Sequence, residues 1–278
     1  MASKPKNAAG YGSAQTDLAK RTCLTLATKL GDLMDNLIIV GGLVPSLIVD
    51  PGEGIVPHVG TLDLDVGLQL ALLDDEHYRR FTERLRDADF EPDKNEKGNL
   101  TRQRWVMSGA KGVTIDFLIP PIAIDDKRRV QDIERDFAAV ITPGLDCAFR
   151  DKKKIKLTGY TMRQEKASRD VWVCGPGAYV VLKALACHGR GENKDAYDLY
   201  YVVRNYGSGI TDVVAKLRPL LDSNDAQRAI DILRSDFLDS EGLGPRRVAE
   251  FQGDPFDDTI RADVVGYVSQ LLELLDEG

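Results

Sequence analysis

Two aspartates stand one position apart in the apolar stretch TLDLDVGL, residues 61–68. In a β-strand, residues two apart point to the same face, so Asp63 and Asp65 would place two carboxylates side by side. Like charges repel, and burying them costs free energy unless a positive charge lies between them. A divalent cation is the simplest such charge. The alternative is an edge strand with one face in water, where alternating Asp is ordinary.

A third carboxylate belongs to Asp116, the one acid in the apolar stretch VTIDFLI, residues 113–119. If that strand lies beside the Asp63 strand, three carboxylates converge. Hard oxygen ligands of this kind suit Mg²⁺, which binds a few carboxylates together with substrate phosphates. Two such ions could activate an attacking hydroxyl and stabilise a leaving pyrophosphate. The alternative is that Asp116 faces water at a sheet edge.

A glycine pair, Gly41 and Gly42, ends the apolar stretch LIIV, residues 37–40. Glycine lets a backbone turn approach a ligand closely and exposes N–H groups at a helix start, where phosphate oxygens bind. Ser46 could add a hydroxyl. Most such pairs are only turns, so this one indicates a phosphate site only together with the acids that follow it.

The periodicity of the chain predicts the elements that position these residues. A helix over about 16–35 precedes the strand 37–40, and the aspartate strand is predicted over 61–70. Antiparallel strands NLTRQRWVMS and GVTIDFLIP follow an amphipathic helix that begins near 74. Beyond residue 175 nearly every segment has a helical pattern, at 176–188, 194–205, 210–221, 224–238 and 255–276.

The predicted fold class is α+β, with an α/β part built on a small mixed sheet and a helical bundle after it. We predict a disordered lead-in over residues 1–15, an α/β domain over 16–170 and a helical domain over 171–278.

The net charge of −7 argues against a basic nucleic-acid coat. Four scattered cysteines, no apolar run of membrane length and no signal-peptide pattern predict a cytoplasmic protein without membrane contact.

The order of these motifs, IVGG, then TLDLDVGL, then VTIDFL, resembles the nucleotidyltransferase superfamily with the polymerase-β-type fold. That pattern is GG or GS, then DxD, then a third acid. The stretch GPGAYVVLKALACHGRGENKDAYDLYYVV is similar to the motif of AbiEii/AbiGii-type toxins, an LK helix followed by KDxxDL. The resemblance covers about residues 37–205. In one departure, Gly42 and Asp63 lie 21 positions apart, a long spacing because VDPGEGIVPHVG looks inserted.

The resemblance implies an enzyme that moves a nucleoside monophosphate from an NTP to a hydroxyl and releases pyrophosphate. Its acceptor would be an RNA such as tRNA, or a protein, and it would be the toxin of a toxin–antitoxin or abortive-infection system with a cognate antitoxin. Two Mg²⁺ ions, or Mn²⁺, would bind Asp63, Asp65 and Asp116, and Asp116 would help orient the acceptor hydroxyl. The implied nucleotide-binding residues are Gly41, Gly42, Ser46, Lys183 and Asp195.

Lys183 is the only charge in the stretch AYVVLKALAC, so its ammonium must meet an anion or reach water along a snorkelling side chain. We expect an anion, either triphosphate or leaving pyrophosphate, and we expect a methionine there to be tolerated in folding. Asp195 and Asp198 could simply complement a helix dipole. The resemblance instead implies that Asp195 orients Lys183 or the base.

The segment 151–170 holds seven Lys or Arg against three acids. We predict that Lys152, Lys153 and Lys154 contact an RNA acceptor, with a solvated surface as the alternative.

His58 and His188 lack metal-ligand spacing and are interpreted as structural. Alternative functions are a small-molecule nucleotidyltransferase of the antibiotic type, a DxD glycosyltransferase, and a non-catalytic binding module. A glycosyltransferase would leave the glycine pair and Asp116 without a role.

Overall fold

The computed structural model describes residues 5–69, 75–109, 113–121 and 129–277, except the side chains of 75–77. Residues 1–4 of the predicted lead-in lie outside this description. The strands are β1 Leu37–Val40, β2 Asp63–Leu68, β3 Phe90–Lys94, β4 Leu100–Met107, β5 Thr114–Ile119, β6 Val130–Glu134, β7 Phe137–Ile141, β8 Lys152–Tyr160 and β9 Lys166–Cys174. The helices are α1 Ser13–Leu30, α2 Pro45–Ile48, α3 Asp75–Asp87, α4 Leu145–Arg150, α5 Pro176–Arg190, α6 Asn193–Asn205, α7 Ile210–Leu217, α8 Asn224–Phe237, α9 Leu243–Gln252 and α10 Asp258–Asp276.

All of these strands join one mixed sheet, in the order β3-β4-β5-β2-β1-β9-β8, with β7 pairing β5 and β6. At its centre β2 is antiparallel to β1 and parallel to β5. Helices follow from α5 to the end of the described chain. The predicted α+β class is therefore confirmed, with a sheet of nine strands rather than a small one.

The predicted boundaries differ from the observed elements in two places. Strand β9 runs through residue 170, and the change from strands to helices falls between Cys174 and Pro176. The lead-in is structured from residue 8, because a 3₁₀ turn spans Ala8–Gly10 and α1 begins at Ser13. Buried side chains of the sheet and of the helices form one continuous core. Division into two domains stays a prediction.

The two faces of the central strands differ in chemistry because side chains alternate along a strand. Leu64, Val66 and Ile115 are fully buried on one face, the apolar face. Phe117 on that face makes an edge contact with Phe81 of α3, with ring centroids 5.4 Å apart. The opposite face carries the aspartates of β2 and β5, and we call it the acid face. The alternation in TLDLDV thus places the aspartates on the acid face, away from the apolar core.

Helix α5 carries Lys183 to the acid face, and Asp151 holds its first turn. The carboxylate of Asp151 accepts the Ala178 N–H at 3.1 Å, which satisfies one of the unpaired donors at a helix start. A Cβ at Gly175 would lie 2.2 Å from Asp151 Oδ1, so only glycine lets the carboxylate approach so closely. This cap ties the helix to the end of α4 and the start of β8.

Within the described chain, no helix is both long and apolar enough to cross a membrane. All four cysteines are buried and free, as expected of a chain without a disulfide framework.

Candidate active site

Three carboxylates come together on the acid face because of strand register. Asp65 pairs with Asp116 across the parallel strands β2 and β5, so their side chains point the same way. Asp63 lies two residues before Asp65 and shares that face. Asp63 is 7% exposed and its Oδ1 accepts the hydroxyl of Thr61 at 3.0 Å. Neither strand is an edge strand, so the water-facing alternative for these acids does not hold.

The glycine pair lies directly against this row of acids. Gly41 has φ 69°, a conformation that glycine adopts without strain, and a Cβ there would lie 1.8 Å from Asp65 Oδ2. A Cβ at Gly42 would lie 2.7 Å from Thr61 Oγ1 and 3.3 Å from Lys194 Nζ. The glycines therefore leave room for the carboxylate and for an ammonium beside the turn.

Two pockets that share Asp65, Lys183 and Arg190 as lining residues lie over the acids, and we call them the two lobes of one cavity. The larger lobe, of about 510 Å³, adds Asp116 and Arg228 to a mainly apolar wall. That wall includes Leu118, Val140, Pro143, Leu182, Leu185 and Ala186. The smaller lobe, of about 250 Å³, is lined mainly by charged and polar residues, and we call it the polar lobe; its lining includes Gly42, Thr61, Asp63 and Lys194. One lobe thus suits a flat apolar group and the other suits charged groups.

Asp116 is held by an arginine that sequence reasoning did not single out. Arg104 of β4 donates from Nε to Asp116 Oδ1 at 2.6 Å and from Nη2 to Oδ2 at 2.5 Å. The two residues are paired in register across β4 and β5. The bidentate pair is largely shielded, with side chains 20% and 14% exposed. No spacing in the sequence reveals this partner, because it comes from the pairing of two separate strands.

The donor chemistry of the acid row fits a hard divalent cation, since it consists of carboxylate oxygens on one face. Among the described residues, however, no group of three or more His, Cys, Asp or Glu is arranged to enclose a metal ion. Asp63 and Asp65 are the candidate ligands nearest to one another in sequence. Asp116 would join them as its carboxylate leaves Arg104.

Lys183 lies in a buried cluster of charged side chains. Its Nζ donates to Asp195 Oδ1 at 2.8 Å and to Asp198 Oδ2 at 2.6 Å, and its side chain is 7% exposed. Arg190 holds Asp195 with two further hydrogen bonds, of 2.6 and 2.7 Å. Lys194 donates to Asp198 Oδ1 at 2.7 Å. The sequence predicted a phosphate anion for Lys183, but the anions that contact it in the structure are two protein carboxylates. One of them, Asp195, orients the lysine.

This pairing keeps Lys183 charged despite its burial. Burial would lower the pKa of the ammonium, but the charges of Asp195 and Asp198 outweigh it and raise that pKa above its ordinary value. Two of its three protons point at carboxylates, and the side chain still borders both cavity lobes. Lys183 can therefore offer a positive charge, and a remaining proton, to a ligand in the cavity.

The stretch that looks inserted, residues 49–60, is anchored on this cluster by His58. Its Nδ1 accepts the Gly60 N–H at 3.0 Å, so Nε2 carries the proton and donates to Asp198 Oδ1 at 2.8 Å. The ring stacks on Tyr197 at 5.3 Å and meets the edge of Tyr201 at 4.9 Å. The structural interpretation of His58 is consistent with these contacts, and the side chain supports the helix that carries Asp198.

Acidification should destabilise the protein through His58. Burial, helped by Lys194 and Lys183, lowers the pKa of His58 from 6.5 to about 4 in spite of Asp198. Between these values the unfolded chain binds a proton that the folded chain does not, so stability falls as pH falls, by about 3 kcal/mol from pH 7 to pH 4. Urea unfolding at pH 7, 5.5 and 4 measures this loss.

His58→Gln should remove most of that pH dependence, and His188→Gln, at a half-exposed side chain, should leave it intact. The pKa of Asp195 is lowered to about 2, so its own contribution is lost only below pH 3.8 and lies outside this window. An equally steep loss of stability in His58→Gln would exclude His58 as its source.

Ser46 is the one predicted site residue that the structure does not bring to the acids. It lies on α2 and lines a separate depression together with Thr16, Lys20 and His58. The 3₁₀ turn Gly41–Leu43 contains the glycine pair, and Ser46 follows it on α2, where it does not line either lobe over the acids. The expectation that Ser46 binds the nucleotide is therefore corrected. Gly41, Gly42, Lys183 and Asp195 all line one lobe or both.

No protein-family model and no curated protein matches the chain. Among solved structures, it is similar to an antigenic nucleotidyltransferase-like protein from Paracoccidioides brasiliensis. The sequence identity is 15% and the TM-score is 0.37, and the match covers 80% of this chain and 94% of that chain.

Proposed function

We infer that this protein is a metal-dependent nucleotidyltransferase. The observation that carries the proposal is the row of Asp63, Asp65 and Asp116 on one face of the sheet, directly beside the Gly41 turn. Cationic side chains line the cavity above that row, and part of its wall is apolar. Nucleotide transfer from an NTP requires acids that bind a divalent cation, cationic side chains that bind the phosphates, and an apolar wall that receives the base.

In the proposed reaction an acceptor hydroxyl attacks the α-phosphorus of an NTP. A bond forms between the acceptor oxygen and the α-phosphorus, the bond from that phosphorus to the oxygen shared with the β-phosphate breaks, pyrophosphate leaves, and the hydroxyl proton is released to solvent. Bound Mg²⁺, or Mn²⁺, would neutralise phosphate charge and lower the pKa of the attacking hydroxyl, with Asp63, Asp65 and Asp116 as its protein ligands. The protein contributes mainly position and charge in a reaction of this type.

The polar lobe is the proposed place of the triphosphate. Gly42 leaves the backbone accessible there, and Lys194 lies beside it with its side chain 14% exposed. Lys183 and Arg190 border the same space, and the carboxylates of Asp195 and Asp198 keep Lys183 fixed. Held cations need no reorganisation when charge develops on the leaving pyrophosphate, which is how such groups lower a barrier. The larger lobe then receives the base.

A panel of α-labelled NTPs tests the proposal. The purified protein is incubated with each NTP, with Mg²⁺, Mn²⁺ or EDTA, and with candidate acceptors that include tRNA, total protein and aminoglycosides. Label transfer that depends on the divalent cation, with release of pyrophosphate, is the expected result. Transfer of sugar from nucleotide sugars would favour the DxD glycosyltransferase alternative. NTP binding without any transfer would favour a non-catalytic module.

RNA remains the proposed acceptor, and the lysine-rich strand is its proposed contact. Lys154 pairs with Trp172 in register, and Lys152 and Lys154 place their Nζ atoms 4.5 and 4.7 Å from the centre of that ring. Val173 pairs with β1 on the apolar face, so alternation puts Trp172, Lys152 and Lys154 on the acid face and Lys153 on the other. β8 is an end strand of the sheet, where lysines also discourage pairing with another chain.

Exchange of Lys152 and Lys154 for glutamine should weaken tRNA binding and flatten its salt dependence. Each lost phosphate contact removes about one released counterion, so the slope of log K against log salt should fall by about 2. Filter binding at several salt concentrations measures it. Lys153→Gln, on the opposite face, is the matched control and should bind like the wild type. Equal losses of tRNA binding in both variants would indicate that net charge, and not a specific contact, drives binding. Unchanged tRNA binding in both would favour a protein or small-molecule acceptor.

The toxin role and the cognate antitoxin rest on the motif resemblance, and they stay predictions. Expression of the chain with and without the product of the neighbouring gene tests both.

A further inference from the structure

The acid row contains its own cation. Arg104, Asp116 and Asp65 are neighbours in register on β4, β5 and β2, so a guanidinium lies at one end of the row. Asp116 gives both of its carboxylate oxygens to Arg104. A guanidinium is always protonated in proteins, so Arg104 brings a full positive charge to this end of the row. Arg104 thus interacts electrostatically with all three acids.

We propose that Arg104 is a positioning residue that holds Asp116 in the metal-free protein and competes with a divalent cation for its carboxylate. This inference rests on the proposed role of the three aspartates as metal ligands. The pair explains how three carboxylates can share one face before any ion binds, because one of their charges is already neutralised. It also means that full coordination of an ion requires Asp116 to exchange Arg104 for the ion.

Removal of this competitor should tighten metal binding. A unit positive charge about 5 Å from a divalent ion changes its affinity by about tenfold even at the dielectric constant of water. Arg104→Gln should therefore bind Mg²⁺ or Mn²⁺ about tenfold more tightly than the wild type and lose thermal stability in EDTA. Arg104→Lys keeps the charge without the two-point bond, so a smaller gain is expected.

Calorimetric titration with Mn²⁺, without NTP or turnover, measures the affinity, and thermal unfolding in EDTA and in Mg²⁺ measures stability. Arg102→Gln is the matched control, because Arg102 is on the same face of β4 but pairs with Asp132 at 2.7 Å. It removes one positive charge that lies farther along β4 and is paired with Asp132, so metal affinity should change far less than in Arg104→Gln. If Arg104→Gln fails to fold, Arg104→Lys carries the comparison.

One outcome overturns the role of Arg104 and leaves the proposed function standing. In that outcome Asp65→Asn abolishes metal binding, but the Arg104 variants bind the metal as the wild type does or more weakly. An equal gain in Arg102→Gln also overturns it, because net charge would then explain the effect. Absence of divalent binding in every folded variant, together with absence of transfer, overturns both. A gain confined to the Arg104 variants supports the proposal.

Discussion

Asp65→Asn should reduce nucleotide transfer on the order of a thousandfold or more. The carboxylate lies between Asp63 and Asp116 in the acid row, against the Gly41 turn, and borders both lobes of the cavity. An asparagine amide is nearly isosteric but has no charge to hold a divalent cation, so stabilisation of the transferring phosphoryl group would be lost. Initial rates of label transfer from the preferred NTP, at saturating Mg²⁺, measure the effect.

Folding should be little affected, with an unfolding midpoint within about 3 °C of the wild type in EDTA. Asp63→Asn should reproduce the loss of transfer. Asp170→Asn is a matched control, because Asp170 lies on β9 in an exposed position away from the cavity. Transfer at a wild-type rate in Asp65→Asn would exclude the acid row as the metal site.

Much of the site could be predicted because it depends on local patterns. A strict alternation of acid and apolar residues places Asp63 and Asp65 on one face of a strand whatever the surrounding fold. The lone acid in VTIDFLI must be paired when its strand is buried, and Asp116 is indeed paired, although with an arginine. The glycines mark a turn that admits no Cβ. Local geometry alone carried these inferences.

The parts that could not be predicted depend on contacts between distant segments. Arg104 meets Asp116 through strand pairing, and His58 on a loop meets Asp198 on a helix, although these two residues are 140 positions apart along the chain. Strand β9 is mainly exposed in its first half and mainly buried in its second, so its residues lack the regular alternation that marks a strand in a sequence. No motif spacing encodes such partners, because the fold sets them.

Lys183→Met should destabilise the protein by about 3 kcal/mol or more, contrary to the expectation from its apolar sequence context. The ammonium is shared by Asp195 and Asp198, which are 1% and 0% exposed. Removing one partner of a buried ion pair leaves an uncompensated charge, which typically costs about 3–5 kcal/mol. Arg190 and Lys194 still contact these carboxylates, so we expect the lower end of that range. Urea unfolding at pH 7 measures the loss.

A double variant, Lys183→Met with Asp195→Asn, distinguishes lost charge balance from lost packing. The second substitution removes one of the carboxylates that the first leaves uncompensated, so the double variant should be more stable than Lys183→Met alone. Asp195→Asn alone should still be destabilised, because Lys183 and Arg190 would then share less negative charge. If the double variant is instead less stable than either single variant, packing of the lysine side chain and not its charge stabilises the cluster.

Transfer activity should be strongly reduced in both Lys183 variants, since neither can offer the ammonium to a leaving pyrophosphate.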